Sequence, residues 1–543
     1  MQVPDIVART LISLGVRQVF GLVGSGNYTL TDALDRAGAT FTPARHEGGA
    51  ITMADAYARV SGELPACTVH QGPGLTNTVT GLTEAAKSRT PLLVLAAESG
   101  GARSNFRIDQ SGLAQAVGAL AERVQSPATA AGDCLRAVQR ARLERRPVLL
   151  NLPLEVLAAA AEPSPLPSLP ALLPVVPAAA SIEAALVTLE QAERPLIIAG
   201  RGAVLAGAGP GLERLAERFG AVLATSAVAN GLFAQNPWAI GISGGFASPL
   251  AAELISASDV VLSVGASLNM WTTSHGRLID PQARLIQVDD EADAIGANLP
   301  VAVPVLGDAG TAVDALEQAA AGHDVQRAGW RSTALAARLE VWREEREPFE
   351  DASTADRIDP RTLSVELDRQ LPLERTVATD SGGFLQWPSS YLRVPDAQGF
   401  CFTQAFQAVG LGLASAIGAA VARPDRLTVA ALGDGGTLMG LPDLETVARL
   451  RLRMVIVVYN DAAYGAEVHH FDAAPGRPLV HFPDTDLAAI ARGAGLVAIT
   501  VRQRADLAPV AEWLRAPEQP ALLVDAKIVP TVVAPFLRDA FGH

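Results

Sequence analysis

Short apolar runs rich in Val, Ile and Leu alternate along the chain with Ala-, Leu- and Arg-rich stretches of helical period. That alternation predicts βαβ units and parallel sheets. The candidate strands of the first third are "RQVFGLV", "PACTVH", "PLLVLAA" and "RPVLLNLPL". A second series reads "RPLIIAG", "AVLATS", "DVVLSVGASL" and "ARLIQVD", and a third "TVATD", "LTVAALGDG", "RMVIVVYND" and "PALLVDAKI". Between the first two series lies "EPSPLPSLPALLPVVPAAAS", where prolines are too dense for a helix or a central strand, so the stretch reads as an extended linker. A charged helical segment from Gly329 to about Glu347 precedes the third series. The predicted fold class is therefore α/β, with three doubly wound parallel-sheet domains. The expected boundaries are an N-terminal domain at 1–161, the proline-rich linker at 162–181, a central domain at 182–325, a helical linker at 326–359 and a C-terminal domain at 360–543.

Composition narrows the picture. At 543 residues the chain exceeds what one core serves, and 49% hydrophobic residues without a long low-complexity tract mark it as globular throughout. A net charge of -14, with Lys or Arg nowhere concentrated into a patch, argues against nucleic acid as a partner. Cys67, Cys134 and Cys401 are odd in number and far apart, which points to neither a disulfide framework nor a zinc site and favours a reducing compartment. The first twenty residues resemble an amphipathic helix, not a signal peptide, and no apolar stretch of membrane-spanning length is free of Gly, Pro or charge. A cytoplasmic protein with no membrane partner is the expectation.

Candidate chemistry begins at "LTVAALGDGGTLMG", where an apolar run breaks at Gly433-Asp434-Gly435-Gly436. A carboxylate at the mouth of a buried strand is costly unless something there needs it. A Gly-rich turn between a strand and a helix offers backbone N–H groups and a helix N-terminus to an anion. The next strand ends in Asn460-Asp461, so two successive strand ends each present a carboxylate. Such a pair can share one Mg²⁺ with a carbonyl and phosphate oxygens.

With Asn460-Asp461 about 27 residues after Gly433-Asp434-Gly435, the spacing resembles the diphosphate motif of thiamine-diphosphate enzymes. The resemblance implies Mg²⁺ bound by the Asp434 and Asp461 side chains and the Ala463 carbonyl. It places Gly433, Gly435, Gly436 and Tyr464 at the cofactor. Family members usually carry Asn where Asp461 stands, and the extra charge should tighten the metal while repelling the cofactor's diphosphate. "PARHEGGAITMADAYARVSG" resembles the family's pyrimidine-domain segment and makes Glu47 the acid that drives the cofactor's imino tautomer. "GPGLTN" matches the following turn and brings in Gly72, Pro73 and Asn77. Gln110 falls where relatives carry an active-site Gln. Val409 stands where an apolar residue props the bent cofactor, and Ser381 and Gly382 form the second diphosphate cradle. In this family the first domain of one subunit faces the third of another, so a homodimer or a dimer of dimers with active sites between subunits is expected.

The resemblance covers the whole chain and includes a central domain similar to acetolactate synthases. It implies a 2-oxo-acid decarboxylase/carboligase, acetolactate synthase-like, that breaks or forms a C–C bond through an enamine. Its substrates would be a small 2-oxo acid and an aldehyde or ketone acceptor. FAD is not expected, because "SLNMWTT" replaces the segment that contacts it in those synthases. A second reading, an aldehyde-releasing decarboxylase like benzoylformate decarboxylase, rests on Ser25 and His70. These occupy the positions of that enzyme's substrate-carboxylate Ser and proton-relay His. Its other catalytic His is not matched, since Thr272 stands there and His275 comes three residues later. Glu467 lies where pyruvate decarboxylases carry an acid, with His469 and His470 beside it. A non-catalytic relative acting as a binding or regulatory subunit is the alternative of another class.

Overall fold

The computed structural model describes residues 1–543 apart from 102, 163–164, 172, 323–328, 472–476 and 540–543. Among the described residues the strands form three six-stranded sheets, and every named pairing is parallel. The first holds β1 (Gln18–Gly21), β2 (Thr40–Pro43), β3 (Ala66–Val69), β4 (Leu92–Glu98), β5 (Leu120–Arg123) and β6 (Pro147–Pro153), in the order β2-β1-β3-β4-β6-β5. The central one holds β7 (Pro195–Ala199), β8 (Val222–Thr225), β9 (Ala239–Ile242), β10 (Val260–Val264), β11 (Arg284–Asp289) and β12 (Val303–Leu306), ordered β12-β11-β10-β7-β8-β9. The third holds β13 (Arg375–Thr379), β14 (Phe400–Phe402), β15 (Leu427–Gly433), β16 (Met454–Asn460), β17 (Val497–Val501) and β18 (Leu522–Lys527), ordered β14-β13-β15-β16-β18-β17.

The first and third sheets thus share one topology, strand for strand, while the central sheet grows outward from β7 and β10 as dinucleotide-binding folds do. The twelve apolar runs predicted as strands are the twelve inner strands. The six strands without such a run are the six sheet edges, β2, β5, β9, β12, β14 and β17. The first helix of the central domain, Ala179–Glu190, begins inside the expected proline-rich linker, and the helical linker contributes Thr333–Glu345.

The N- and C-terminal domains share one hydrophobic core. At its centre the helix Glu47–Ser61 packs on the helix Gly412–Ala422, and each comes after the second strand of its own sheet. Small residues allow the close approach: a Cβ on Gly418 would lie 2.2 Å from the Met53 carbonyl oxygen. Buried charge reinforces the contact. Arg59 reaches Asp55 and Glu84 at 2.6 and 2.7 Å and donates to the Phe402 carbonyl across the domain boundary at 2.8 Å. The central domain docks through Arg201 on the Ser88 carbonyl and through the ion pairs Arg145–Asp290 and Arg89–Glu291. Among the described residues no helix is long and apolar enough to cross a membrane.

Candidate active site

In a doubly wound sheet, ligands bind where the chain switches direction, at the C-terminal ends of the strands. In the first sheet that point lies between β1 and β3. The loop after β1 carries Ser25 and the turn after β3 carries His70, so the topology brings the two together: Ser25 Oγ lies 3.3 Å from His70 Nε2. The other ring nitrogen, Nδ1, is 2.8 Å from the Gln71 carbonyl, which can only accept. Neutral His70 therefore carries its proton on Nδ1 and leaves Nε2 to accept from Ser25. Phe106 packs edge-on to the imidazole at 5.0 Å.

Glu47 is the first residue of its helix, whose N-cap His46 accepts from the Gly48 amide through Nδ1 at 3.0 Å. Glu47 is only 8% exposed, and one carboxylate oxygen accepts from Asn77 Nδ2 at 3.0 Å. The other oxygen lies against Gly74, where a Cβ would come within 3.3 Å of it. The Gly72–Asn77 turn, with Gly72 at φ +65 and Pro73 opening a short helix, thus wraps Glu47. Asn77 is engaged there by Glu47. Gln110 is also held inward. Its amide donates to the Ala97 carbonyl and to Asn151 Oδ1, and its Oε1 accepts from the Gly72 amide at 3.3 Å. Both Nε2 hydrogens have partners, and Gln110 holds the Gly72 turn through its Oε1.

The same switch point in the third sheet lies between β13 and β15. Gly433 ends β15 and caps the helix Asp434–Met439, so Gly435 and Gly436 stand in its first turn. Side chains are excluded there: a Cβ on Gly436 would lie 2.1 Å from Asp380 Oδ2, and one on Gly435 would meet the Tyr464 ring at 3.1 Å. Asp380 accepts from the Ser381 amide at 2.8 Å and the Gly410 amide at 3.0 Å. It thereby ties the Ser381-Gly382 turn to the segment bearing Val409. Val409 is exposed and stands beside Gly436.

Asp461, at the end of the neighbouring strand β16, lies within hydrogen-bonding reach of Asp434. Burial holds both carboxyls above their ordinary range, and their mutual repulsion adds to this for Asp434. Ala462 has φ +58, a conformation that costs a non-glycine residue, and the turn it makes carries Ala463 next to the pair. Two ionisable carboxyls forced together at adjacent strand ends fit a divalent cation, and the glycine cradle beside them fits a diphosphate. Glu467 is exposed on the helix Gly465–His470. At the position of the second decarboxylase His, Thr272 donates to Asn269 Oδ1, while His275 packs edge-on to Trp271.

A cavity of about 590 Å³ runs from the Gly202 turn of the central domain to Ser381, Gly382 and Ala466. It is lined by neither Glu47 nor Asp434.

Glycine turns open to an anion and a carboxylate pair suited to one cation define the class, an α/β protein that takes a diphosphate-bearing cofactor. Comparison with known families makes it specific. The "Thiamine pyrophosphate enzyme" descriptions match in order: the N-terminal TPP binding domain at residues 1–121, the central domain at 182–316 and the C-terminal TPP binding domain at 380–524. The chain belongs to this family and is a thiamine-diphosphate-dependent enzyme, with relatives named acetolactate synthase and sulfoacetaldehyde acetyltransferase; the non-catalytic alternative falls away. Among curated relatives it is 29% identical to a sulfoacetaldehyde acetyltransferase of Castellaniella defragrans over 573 residues, covering 99% of this chain and 95% of that protein. It is 28% identical to a putative acetolactate synthase large subunit of Mycobacterium tuberculosis over 570 residues, covering 98% and 99%. A probable acetolactate synthase large subunit of Methanocaldococcus jannaschii is 27% identical over 484 residues, covering 86% and 81%.

Proposed function

We propose that this enzyme is a Mg²⁺-dependent decarboxylase/carboligase that takes a 2-oxo acid as donor and an aldehyde or ketone as acceptor. The observation that carries the reading is the half-buried Asp434–Asp461 pair beside the Gly433–Gly436 turn. Asp434, Asp461 and the Ala463 carbonyl would hold the metal, and the amides of Gly435, Gly436, Ser381 and Gly382 the diphosphate. Val409 and Tyr464 would flank the cofactor. Thiamine diphosphate supplies, when bound, a carbon acid whose conjugate base attacks carbonyls and accepts the electrons of decarboxylation. Glu47, fixed by Asn77 through one carboxylate oxygen, would present the other to a nitrogen of the cofactor's pyrimidine ring. His70 Nε2 accepts a proton through Ser25, and Glu467 stands at the open edge as a second proton donor.

Large apolar side chains lie bare around both half-sites: Val23, Tyr28 and Phe106 near Ser25 and His70, and Val409, Met439 and Tyr464 near Asp434. They support the pairing of Glu47 with a second copy's metal turn, in a homodimer or a dimer of dimers. Mixing a Glu47→Gln homodimer with an Asp434→Ala homodimer should then restore part of the activity, because exchange creates one intact site per heterodimer. No recovery after demonstrated subunit exchange refutes the shared site. A cytoplasmic location belongs to the same reading and rests on the three buried, unpaired thiols. Flavin is not part of it, and flavin absorbance in the purified protein would overturn that.

The Ser25–His70 contact favours benzoylformate decarboxylase-like chemistry as a second reading. Product analysis with thiamine diphosphate and Mg²⁺ separates the two, with pyruvate, benzoylformate and sulfoacetaldehyde offered singly and in pairs and Glu47→Gln as control. A 2-hydroxy ketone or acetolactate from pyruvate supports the carboligase. Benzaldehyde from benzoylformate supports the decarboxylase and makes Ser25 and His70 catalytic. Turnover by Glu47→Gln equal to that of the parent refutes both.

A further inference from the structure

Strands β16 and β18 end side by side, with Asn460 opposite Lys527 in register. Asp461 follows Asn460 directly, so a charge placed at these two strand ends acts on the proposed metal turn. Two cations stand there. Lys527 is buried and already paired, with its ammonium 2.9 Å from Asp525 and a second contact to Asp484. Asp525 in turn accepts from Asn460 Nδ2 at 2.8 Å, so Lys527 closes a network with no spare positive charge.

Arg357 differs. Its Nη1 donates to the Ile528 carbonyl at 3.0 Å and to the Asn460 carbonyl at 3.4 Å. Among the described residues no carboxylate lies within ion-pair distance of it. Carbonyl oxygens fix the guanidinium without neutralising it. The backbone that carries it is fixed as well. The Ile358 amide donates to the Lys527 carbonyl and the Val529 amide to the Ile358 carbonyl, both at 2.9 Å, while the Arg357 amide donates to Thr354 Oγ1 at 3.1 Å. Burial raises the Asp461 carboxyl, and the charge of Arg357 acts against that rise, so the two side chains are near enough to interact.

A cation site made of Asp434 and Asp461 meets a charge problem once it also takes a diphosphate. One divalent ion cancels two carboxylates and leaves the diphosphate facing them uncompensated. An arginine without a carboxylate of its own, anchored at the strand end that bears Asp461, supplies the missing positive charge.

We propose that Arg357 is a positioning residue for the cofactor: held on the Asn460 and Ile528 carbonyls, its charge offsets that of Asp461 and so lets the Gly433–Gly436 turn take the diphosphate. The inference rests on the reading of Asp434 and Asp461 as metal ligands. An electrostatic role of this kind leaves a pattern that a packing role does not. Removing the charge should weaken the anion and strengthen the cation.

Titration calorimetry of the full chain reads the two separately, with thiamine diphosphate added at saturating Mg²⁺ and Mg²⁺ added at saturating thiamine diphosphate. Arg357→Gln, whose amide can still donate to a carbonyl, should raise the half-saturating thiamine diphosphate concentration about threefold or more and lower that of Mg²⁺. Adding Asp461→Asn should bring the thiamine diphosphate affinity back to within about twofold of the parent. Arg357→Lys, which keeps the charge, should bind the cofactor as the parent does, and Arg357→Met supplies the neutral arm if Arg357→Gln does not fold. Weakening of both ligands together would make Arg357 a packing residue and overturn the inference, as would unchanged affinities or no recovery in the double variant. Those outcomes leave the metal reading intact. A parent chain that binds thiamine diphosphate equally with and without Mg²⁺ overturns that reading, and the inference with it.

Discussion

Replacing Arg59 with methionine tests what joins the two halves of the site. In the helix that begins with Glu47, Arg59 Nη2 sits 2.6 Å from Asp55 and 2.7 Å from Glu84, with 9% of its side chain exposed against 0% and 1% for the carboxylates. Methionine keeps most of the volume and removes the charge. Breaking a buried ion pair by deleting one partner costs about 3–5 kcal/mol, because the remaining charge has no counter-charge. The loss is communicated across domains. Arg59 also donates to the Phe402 carbonyl at 2.8 Å, and Glu84 accepts from the Ala405 and Phe406 amides at 2.9 and 2.6 Å, at the start of the segment that leads to Val409. Calorimetry of the holoenzyme should show the melting temperature lowered by about 3–4 °C at neutral pH, and activation curves should show a higher thiamine diphosphate requirement. The pH dependence fixes the cause. Burial already holds the Asp55 carboxyl above its ordinary range, against the pull of Arg59. A carboxyl whose folded pKa is raised binds its proton better when folded, so its stabilising effect is full below the unfolded value of about 3.9 and is lost as pH rises through the folded value. Removing Arg59 raises it further, so the deficit should be small in acid and grow toward neutrality. Adding Asp55→Asn should recover part of it. A deficit independent of pH, or a melting temperature within about 2 °C of the parent, would refute the buried-pair account.

Asp461→Asn should keep turnover while raising the Mg²⁺ concentration for half-activation roughly tenfold or more, the equivalent of ~1.4 kcal/mol of lost charge interaction; total inactivity at saturating Mg²⁺ would sink this. Gly418→Ala would place a methyl 2.2 Å from the Met53 carbonyl oxygen. Backbone cannot swing aside, so about 3 kcal/mol, the upper part of the overpacking range, should be lost. An unchanged thermal midpoint would mean that the two helices do not approach so closely. Glu47→Gln should abolish turnover yet bind thiamine diphosphate and Mg²⁺ with parental affinity in calorimetric titration, and a matching loss of affinity would make Glu47 a binding residue only.

The fold was legible in the sequence wherever burial is complete. Strands such as Pro147–Pro153 and Met454–Asn460 are buried at every position, so nearly every residue is apolar, and the buried Asn151 and Asn460 are hydrogen-bonded to Gln110 and Asp525. The edge strands face a sheet partner on one side only. Thr40–Pro43 and Leu120–Arg123 are mostly exposed or half-buried, and Val303–Leu306 alternates buried and exposed, so "TFTP" or "LAER" carries no such run. The juxtaposition of Asp434 with Asp461 could be read because glycine and carboxylate spacing are local properties of two strand ends. The contacts of Gln110 and Asn77 could not. Which partner takes a side-chain amide depends on Asn151 and Glu47, 41 and 30 residues away, and only the folded chain sets those contacts. Arg59 was visible as part of the "AYAR" stretch, but its link to Phe402, 343 residues distant, was not.

The repeated topology explains why the chemistry is divided. Each outer sheet presents one crevice at its own switch point, and the two crevices carry complementary groups, a buried acid with a Ser–His pair in one and a cation-ready pair with a glycine cradle in the other. Within one chain the two domains meet through the helices that come after their second strands, and these cross near Met53 and Gly418, each the seventh residue of its helix. At 1.5 Å per residue that crossing lies roughly 9 Å from either N-terminus. The contact uses the middles of the helices for the shared core; the N-terminal end of the first is also held by the third domain, with Arg45 on Glu445 and Gly49 against Asp443, while Glu47 itself turns to Asn77 and Gly74 in its own crevice. Neither crevice is closed by this packing, and each keeps its bare apolar rim. A second copy related by a two-fold axis can cover both rims at once, because an isologous contact presents the first domain of each chain to the third domain of the other.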